Sequence, residues 1–354
     1  MRIAQIAPLY ESVPPKLYGG TERVVSYLTE ELVAQGHDVT LFASGDSQTS
    51  AELVPICDQA LRLGNQCQDQ LAHHMRMVEE VYRRADDFDL IHFHIDYQHF
   101  PTSARTTSTR VTTLHGRLDI PDLQPLYRTF DDEPVVSISD NQRTSLPAAN
   151  WVGTVHHGLP AELLSLQPRP GKYLAFLGRI SPEKRPDRAI EVARRTGIPL
   201  KIAAKIDNVD RGYYDQVIKP LMDPGIVEFV GEINDREKSV FLGDALALMF
   251  LIDWSEPFGL VMIESIACGT PVMACPRGSV PEVIEDGVTG ALVDDCDGAV
   301  EAMDRIVALD RTVCRRRFEE RFLVSRMAVD YVQLYHRLAR SRKVAVAGHG
   351  SLIW

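Results

Sequence analysis

The sequence has no apolar stretch of the roughly 18 residues that a membrane-spanning helix requires, although 45% of its 354 residues are hydrophobic. No C-x-x-C pair occurs among its six cysteines, at 57, 67, 268, 275, 296 and 314. That excludes a zinc ribbon or disulfide framework and leaves reduced thiols in a cytoplasmic protein as the expectation. Excess positive charge is also missing. A net charge of −11 argues against a general nucleic-acid binder. There is no low-complexity tract, and "MRIAQIAPLY" lacks the small-residue cleavage site of a secretory signal. Eleven histidines are present, with "HFH" at 92–94 and "HH" at 73–74 and 156–157, but none has a carboxylate or cysteine at ligand spacing. No metal site is expected.

What is present is alternation. "RIAQIA" (2–7), "DVTLFAS" (38–44), "DLIHFHI" (89–95), "RVTTLH" (110–115) and "EPVVSIS" (133–139) read as strands. In the first intervening segment Val24, Val25, Leu28 and Leu32 recur at helical spacing and Gly36 ends the helix. The second half repeats the theme. "KYLAFLG" (172–178), "LKIAAKI" (200–206), "IVEFVGE" (226–232), "LALMFLI" (246–252) and "TPVMA" (270–274) alternate with helical stretches such as "DQVIKPLM" and "GLVMIESIACG". Near-continuous apolar strands separated by helices imply parallel sheets covered on both faces. The segment 159–172, with three prolines and a glycine, reads as a linker. The expected fold is α/β, with two Rossmann-like doubly wound domains facing a cleft. The first spans 1–160 and the second 161–324; a C-terminal helix at about 325–345 can pack back on the first. Basic residues from about 312 to 343 read as a solvated helix face.

Four places could carry chemistry. In "YGGTE" (18–22), Gly19 and Gly20 precede a helix whose unpaired N–H groups favour an anion; a helix cap at Thr21 is the equal structural alternative. The loop is not G-x-G-x-x-G, so dinucleotide binding is unsupported. In "LGRISPEKRPD" (177–187), Arg179 and Lys184 fall at the carboxyl end of a strand, where a forked cation and a point cation suit a diphosphate. Ordinary surface salt bridges are the alternative there. His115, in "TLHGR", ends a strand, and the glycine after it leaves room for a ligand.

The fourth is "EPFGLVMIESIACGTPV" (256–272), core-like sequence carrying two acids. Pro257 and Gly259 forbid one helix across both. Glu256 therefore lies in a loop, a helix starts near Gly259 and Leu260, Glu264 sits in its second turn and Gly269 closes it. The amides of Phe258, Gly259 and Leu260 point out of the helix start. Carboxylates for hydroxyls beside amides for phosphate match what a nucleotide sugar presents. Structurally, Glu256 could instead pair with the helix dipole and Glu264 with a nearby arginine.

Together with "YGGTERVV", "LGRISPEKRPD" and "GSVPEVIEDGVTGALV", this segment resembles the family 4 glycosyltransferases of GT-B fold, and among them bacterial small-molecule glucosyltransferases. The resemblance covers nearly the whole chain. It implies that Glu264 holds the ribose hydroxyls and that Arg179 and Lys184 clamp the diphosphate with the amides of Gly259, Leu260 and Gly20. It further implies that Glu256 holds donor-sugar hydroxyls, that His115 lies under the sugar near the reacting carbon, and that the base rests on backbone around Val230. Donor binding would also draw on Gly19 and Phe258. Transfer would retain configuration without a metal or other cofactor, by front-side attack inside a closing cleft. The expected partners are a UDP-sugar, with UDP-glucose the chosen donor, and a soluble small-molecule acceptor. No nucleic acid, membrane span or peripheral membrane contact is expected. The segment 92–101 can line the acceptor pocket. Two competing readings are a nucleotide-sugar 2-epimerase of the same fold and a non-catalytic nucleotide-sugar binding protein.

Overall fold

The computed structural model describes residues 1–16, 19–62, 67–169 and 171–349, with side chains as far as 341. The chain divides into two units, Met1–Gly158 with Val324–Trp354, and Leu159–Leu323.

In the first unit the apolar runs form a wholly parallel seven-stranded sheet. In chain order come β1 (Arg2–Ile6), α1 (Gly20–Ala34), β2 (Asp38–Ser44), β3 (Glu52–Cys57), α2 (Gln70–Arg83), β4 (Leu90–Phe93), β5 (Arg110–Thr113), β6 (Pro134–Ser137) and β7 (Asn150–Thr154). The spatial order is β3-β2-β1-β4-β5-β6-β7, and Ile3 lies opposite both Val39 and Leu90. Side chains on both faces of the central strands are buried because helices cover them. Val24, Val25, Leu28 and Leu32 of α1 are all buried, and Met77, Val78 and Val81 of α2 pack with Ile6, Phe42 and Phe93.

The second unit repeats the plan with β8 (Tyr173–Arg179), α3 (Pro186–Thr196), β9 (Leu200–Lys205), β10 (Val227–Gly231), α4 (Asp235–Gly243), β11 (Ala245–Phe250), α5 (Leu260–Ala267), β12 (Val272–Ala274), β13 (Gly290–Leu292) and α6 (Arg311–Arg321). Its parallel order is β10-β9-β8-β11-β12-β13. The chain then returns to the first unit as α7 (Val324–His349), which buries Tyr331 and Tyr335. In each sheet the order reverses once, between β1 and β4 and between β8 and β11. Loops leaving the carboxyl ends of strands at such a reversal diverge and leave a crevice, which is where open α/β sheets bind ligands.

Several local expectations need correction. The structure adds three strands beyond those expected, β3, β7 and β13. "DQVIKPLM" does not form a regular helix: Tyr214–Ile218 is a π-turn and Lys219–Leu221 a 3-10 turn, and Pro220 accounts for the break because it cannot donate to the ladder. The proline-rich segment 159–172 is bound rather than free. Leu159 bridges to Leu323, Leu164 is buried, and Gln167 N donates to Cys268 O at 2.9 Å; Pro170 lies outside the described residues. The basic tail is only partly a solvated face. Arg311 is buried, and Arg315 donates to the carbonyls of Leu164, Ala267 and Ala161.

Candidate functional site

The sheet reversal of the second unit sets two loops side by side. β8 ends at Arg179 and turns through Pro182–Lys184, while β11 ends at Phe250 and runs to the start of α5. Asp253 N donates to Glu183 O at 3.0 Å and ties the loops together. Lys184 Nζ lies 2.5 Å from Glu256 Oε2, 4.8 Å from the Trp254 ring centre and 5.6 Å from that of Phe250. The aromatic faces hold the cation where a carboxylate can meet it. Glu256 is 7% exposed, so its charge is compensated by this pair.

Arg179 lies within a cluster of acids. It contacts Glu183 at 2.5 Å, Asp210 at 3.3 Å and Asp207 at 3.8 Å. The two expected phosphate cations are each held by acids.

The loop carrying Glu256 is shaped by two glycines. Gly259 has φ 78° and ψ 70°, a left-handed conformation that lets the chain swing from loop into α5 without a Cβ clash. Gly278 has φ 62°, and a Cβ there would fall 2.3 Å from Glu256 N and O. That close approach lets Ser279 N donate to Glu256 O at 2.9 Å and Ser279 Oγ to Phe258 O at 3.0 Å. Phe258 turns its ring into the core, 2% exposed, leaving its backbone to line the loop. Leu260 opens α5 as expected.

Glu264 is buried in the second turn of α5, and its partner is a lysine rather than an arginine. Lys238 on α4 lies 2.7 Å from Glu264 Oε1 and 3.3 Å from Asp235. Val230 is at the carboxyl end of β10 and 41% exposed. Lys238, Trp254, Gly278, Asp207 and Asp210 are not among the residues expected from the sequence. Lys238 and Trp254 are single residues in unremarkable patterns, although the isolated tryptophan beside the "EPFG" loop was a usable signal.

In the first unit, Gly19 precedes α1 and Gly20 is its first residue, so the helix starts one residue before Thr21, and Thr21 is not its cap. Tyr18 lies outside the described residues. Glu22, in the same loop-to-helix segment, is buried, and burial with the Glu11 charge nearby pushes its carboxyl up to about 7. The folded state therefore binds this proton more tightly than the unfolded chain, whose carboxyl titrates near 4.5. Its contribution to stability is present below about 4.5 and is lost as pH rises through 7. Glu22→Gln is expected to be more stable than the parent by roughly 1–3 kcal/mol at pH 8 and to match it near pH 5. Denaturant titration at the two pH values checks this, and an equal difference at both would refute it.

β5 ends at Thr113, so His115 sits two residues beyond the strand rather than closing it. Gln142 Nε2 donates to Leu114 O at 3.0 Å and Gly116 O at 2.8 Å, which fixes the loop on either side. The His115 ring stacks at 5.2 Å on His157, and its Nε2 is 2.9 Å from His94 Nδ1. Crowding by protein pushes the His115 imidazole down to about 3, so it is neutral at ordinary pH. Among the described residues no group of three or more His, Cys, Asp or Glu side chains could hold a metal ion, and no helix is long and apolar enough to cross a membrane.

Two family descriptions match this chain, Glycosyltransferase Family 4 over residues 18–135 and Glycosyl transferases group 1 over residues 165–321. The chain belongs to the family 4 glycosyltransferases. Among curated members it is 37% identical over 133 residues to the D-inositol 3-phosphate glycosyltransferase of Mycolicibacterium smegmatis, covering 37% of this chain and 31% of that protein. It is 29% identical over 214 residues to the enzyme of the same name from Mycobacterium marinum, covering 52% and 46%. The matched region thus spans less than half the length of these relatives. Solved structures share the two-domain fold. AviGT4, a glycosyltransferase involved in avilamycin A biosynthesis, aligns with TM-score 0.73 at 22% identity over 96% of this chain and 98% of its own. Sucrose-phosphate synthase from Thermosynechococcus elongatus aligns at 0.77 with 20% identity over 96% and 100%. Anabaena HepE in complex with UDP and glucose aligns at 0.71 with 19% identity over 94% and 98%. Both units of this member are thus parallel-sheet α/β domains of the GT-B fold.

Proposed function

We propose that this family member transfers a hexose, glucose, from a UDP-sugar to a hydroxyl of a soluble small-molecule acceptor, with retention of configuration. The observation that carries the reading is the Lys184–Glu256 pair at the sheet reversal of the second unit, beside the N-terminal end of α5. A nucleotide sugar offers each member a better partner, diphosphate for the ammonium and sugar hydroxyls for the carboxylate. Glu264 then exchanges Lys238 for ribose hydroxyls, Arg179 exchanges part of its acid cluster for phosphate, and the base rests on backbone near Val230. His115 takes a sugar hydroxyl near the reacting carbon.

In the reaction the acceptor oxygen attacks the anomeric carbon as the bond to the diphosphate breaks, on the same face. The departing phosphate oxygen takes the acceptor's proton. Lys184 and Arg179 neutralise the charge that develops on the leaving group, the part a metal would otherwise play, so no resident metal is proposed. The complex of HepE with UDP and glucose supports the donor class. The free state of all six cysteines is consistent with a reducing compartment, and the proposed location is the cytoplasm.

A melting-temperature panel of UDP-, GDP-, ADP- and dTDP-sugars tests the donor. At about 100 times Kd a ligand adds about 2.7 kcal/mol, enough for a rise of several degrees. The rise is expected with UDP-glucose and is expected to vanish in Glu264→Gln, which leaves Lys238 in place but cannot accept both ribose hydroxyls as a carboxylate does. No rise with any nucleotide sugar would refute the donor assignment. Incubation with UDP-glucose or UDP-N-acetylglucosamine alone separates transfer from epimerisation, since only an epimerase produces an epimer.

A further inference from the structure

We infer that Gln5 and His94 are positioning residues that hold His115 in one neutral tautomer, protonated at Nε2, so that its Nδ1 is kept as a bare hydrogen-bond acceptor. Gln5 is the one polar residue in the buried run of β1, and it is fully buried. Its Oε1 is 2.8 Å from His94 Nε2. A carbonyl oxygen only accepts, so His94 carries its proton on Nε2. A neutral imidazole has a single N–H. His94 Nδ1 is therefore an acceptor, and the 2.9 Å contact to His115 Nε2 requires that nitrogen to donate. His115 Nδ1 then holds a lone pair. It is shielded from solvent and has no hydrogen-bond partner among the described residues.

The direction of this chain is set from its far end. Gln5 Nε2 lies 3.4 Å from Tyr335 Oη, which lies 2.7 Å from His92 Nδ1. His92 Nε2 is 2.7 Å from Thr113 Oγ1, itself 2.8 Å from Tyr331 Oη. With Gln5 donating to Tyr335, each following group donates once, from Tyr335 to His92, from His92 to Thr113 and from Thr113 to Tyr331. The His92 and His94 rings stand 4.0 Å apart, so protonating both would set two cations in contact. Burial drives each well below the usual histidine range. An amide at position 5 suits this arrangement better than a carboxylate, which would favour an imidazolium at His94 and reverse the bond to His115.

A shielded acceptor with no protein partner, in a loop at the carboxyl end of the sheet, is a place that a hydroxyl donor fills. That the donor is a sugar hydroxyl rests on the proposed function; the tautomer does not. The opposite tautomer would present an N–H and set two donors in competition at the same point.

Imidazole nitrogen NMR on protein labelled at histidine tests the inference, with the His115 signals assigned through their loss in His115→Ala. The expected wild-type pattern is a protonated Nε2 and an unprotonated Nδ1 on both His94 and His115. Gln5→Met and His94→Phe keep volume but break the relay, and each is expected to shift His115 to a mixture of tautomers. Transfer is expected to fall roughly tenfold, the scale of one misdirected hydrogen bond. A wild-type His115 protonated at Nδ1, as the reversed amide orientation of Gln5 would give, overturns the inference, as do unchanged His115 signals in both variants. Should Gln5→Met fail to fold, the wild-type spectrum and His94→Phe decide. Absence of UDP-sugar binding alongside the expected tautomer would refute the proposed function and support the relay.

Discussion

Lys184→Ala is expected to lower transfer by about a thousandfold, the upper range for removing one group that stabilises charge on a leaving oxygen. Two losses combine. The diphosphate loses its nearest point charge, and Glu256, 7% exposed, is left without its cation. A carboxylate in that position draws in another cation or a proton and no longer serves sugar hydroxyls. Because Lys184 retains 22% side-chain exposure, water relieves part of the electrostatic cost. The stability loss is therefore expected at about 1–2 kcal/mol, below the 3–5 typical of fully buried pairs. Lys184→Arg should restore only part of the rate, since its guanidinium can stack on Trp254 but is a larger, planar fork in place of the point charge that meets Glu256 at 2.5 Å. Steady-state rates with a UDP-sugar, together with melting temperatures, separate the two losses. A Lys184→Ala enzyme within tenfold of wild type would show that the leaving group is stabilised elsewhere.

Arg311→Met is expected to cost about 3–5 kcal/mol of stability while leaving the candidate site chemically intact. Arg311 opens α6, is 6% exposed and has no carboxylate partner among the described residues. Its guanidinium instead donates to Gln167 O at 2.7 Å, Ala245 O at 2.8 Å, Gly243 O at 2.7 Å and the Thr270 hydroxyl. Methionine fills much of the space but strands the buried carbonyls of Ala245 and Gly243, each worth roughly 1–3 kcal/mol when unmet, and the part-buried one of Gln167. The expected fall in melting temperature is about 10 °C. It is read by calorimetry with and without donor. A fall below about 2 °C would mean that water or a neighbouring side chain takes over those carbonyls.

The contrast between these residues shows what the chain makes legible. Central strands such as Leu90–Phe93 and Leu200–Lys205 can be read directly because burial on both faces leaves mostly apolar residues, interrupted by His92 in the first and by Lys201 and Lys205 in the second. The unread strands β3, β7 and β13 all lie at sheet edges. There burial is mixed in β3 and only partial throughout β7, and residues such as Pro55, Gly153 and Gly290 dilute the pattern. The start of α5 was readable from Pro257 and Gly259 because backbone chemistry is local. The partner of Glu264 was not, because Lys238 reaches it from another helix, 26 residues away in the chain. Arg311 was hidden for a related reason. A charge bonded to carbonyls and a hydroxyl has no acidic counterpart in the sequence to announce it. His94 and His115 were visible as histidines, but only the contact with Gln5 gives their protons a direction.

The return of α7 to the first unit has a consequence for synthesis. Tyr331 bonds Thr113, and Tyr335 bonds His92 and Gln5. These hydroxyls leave the ribosome only after all of residues 159–323. The first sheet can form early, but its polar interior stays incomplete while the intervening domain is made. The N-terminal domain, although first to be translated, thus cannot finish folding until the second domain has been made.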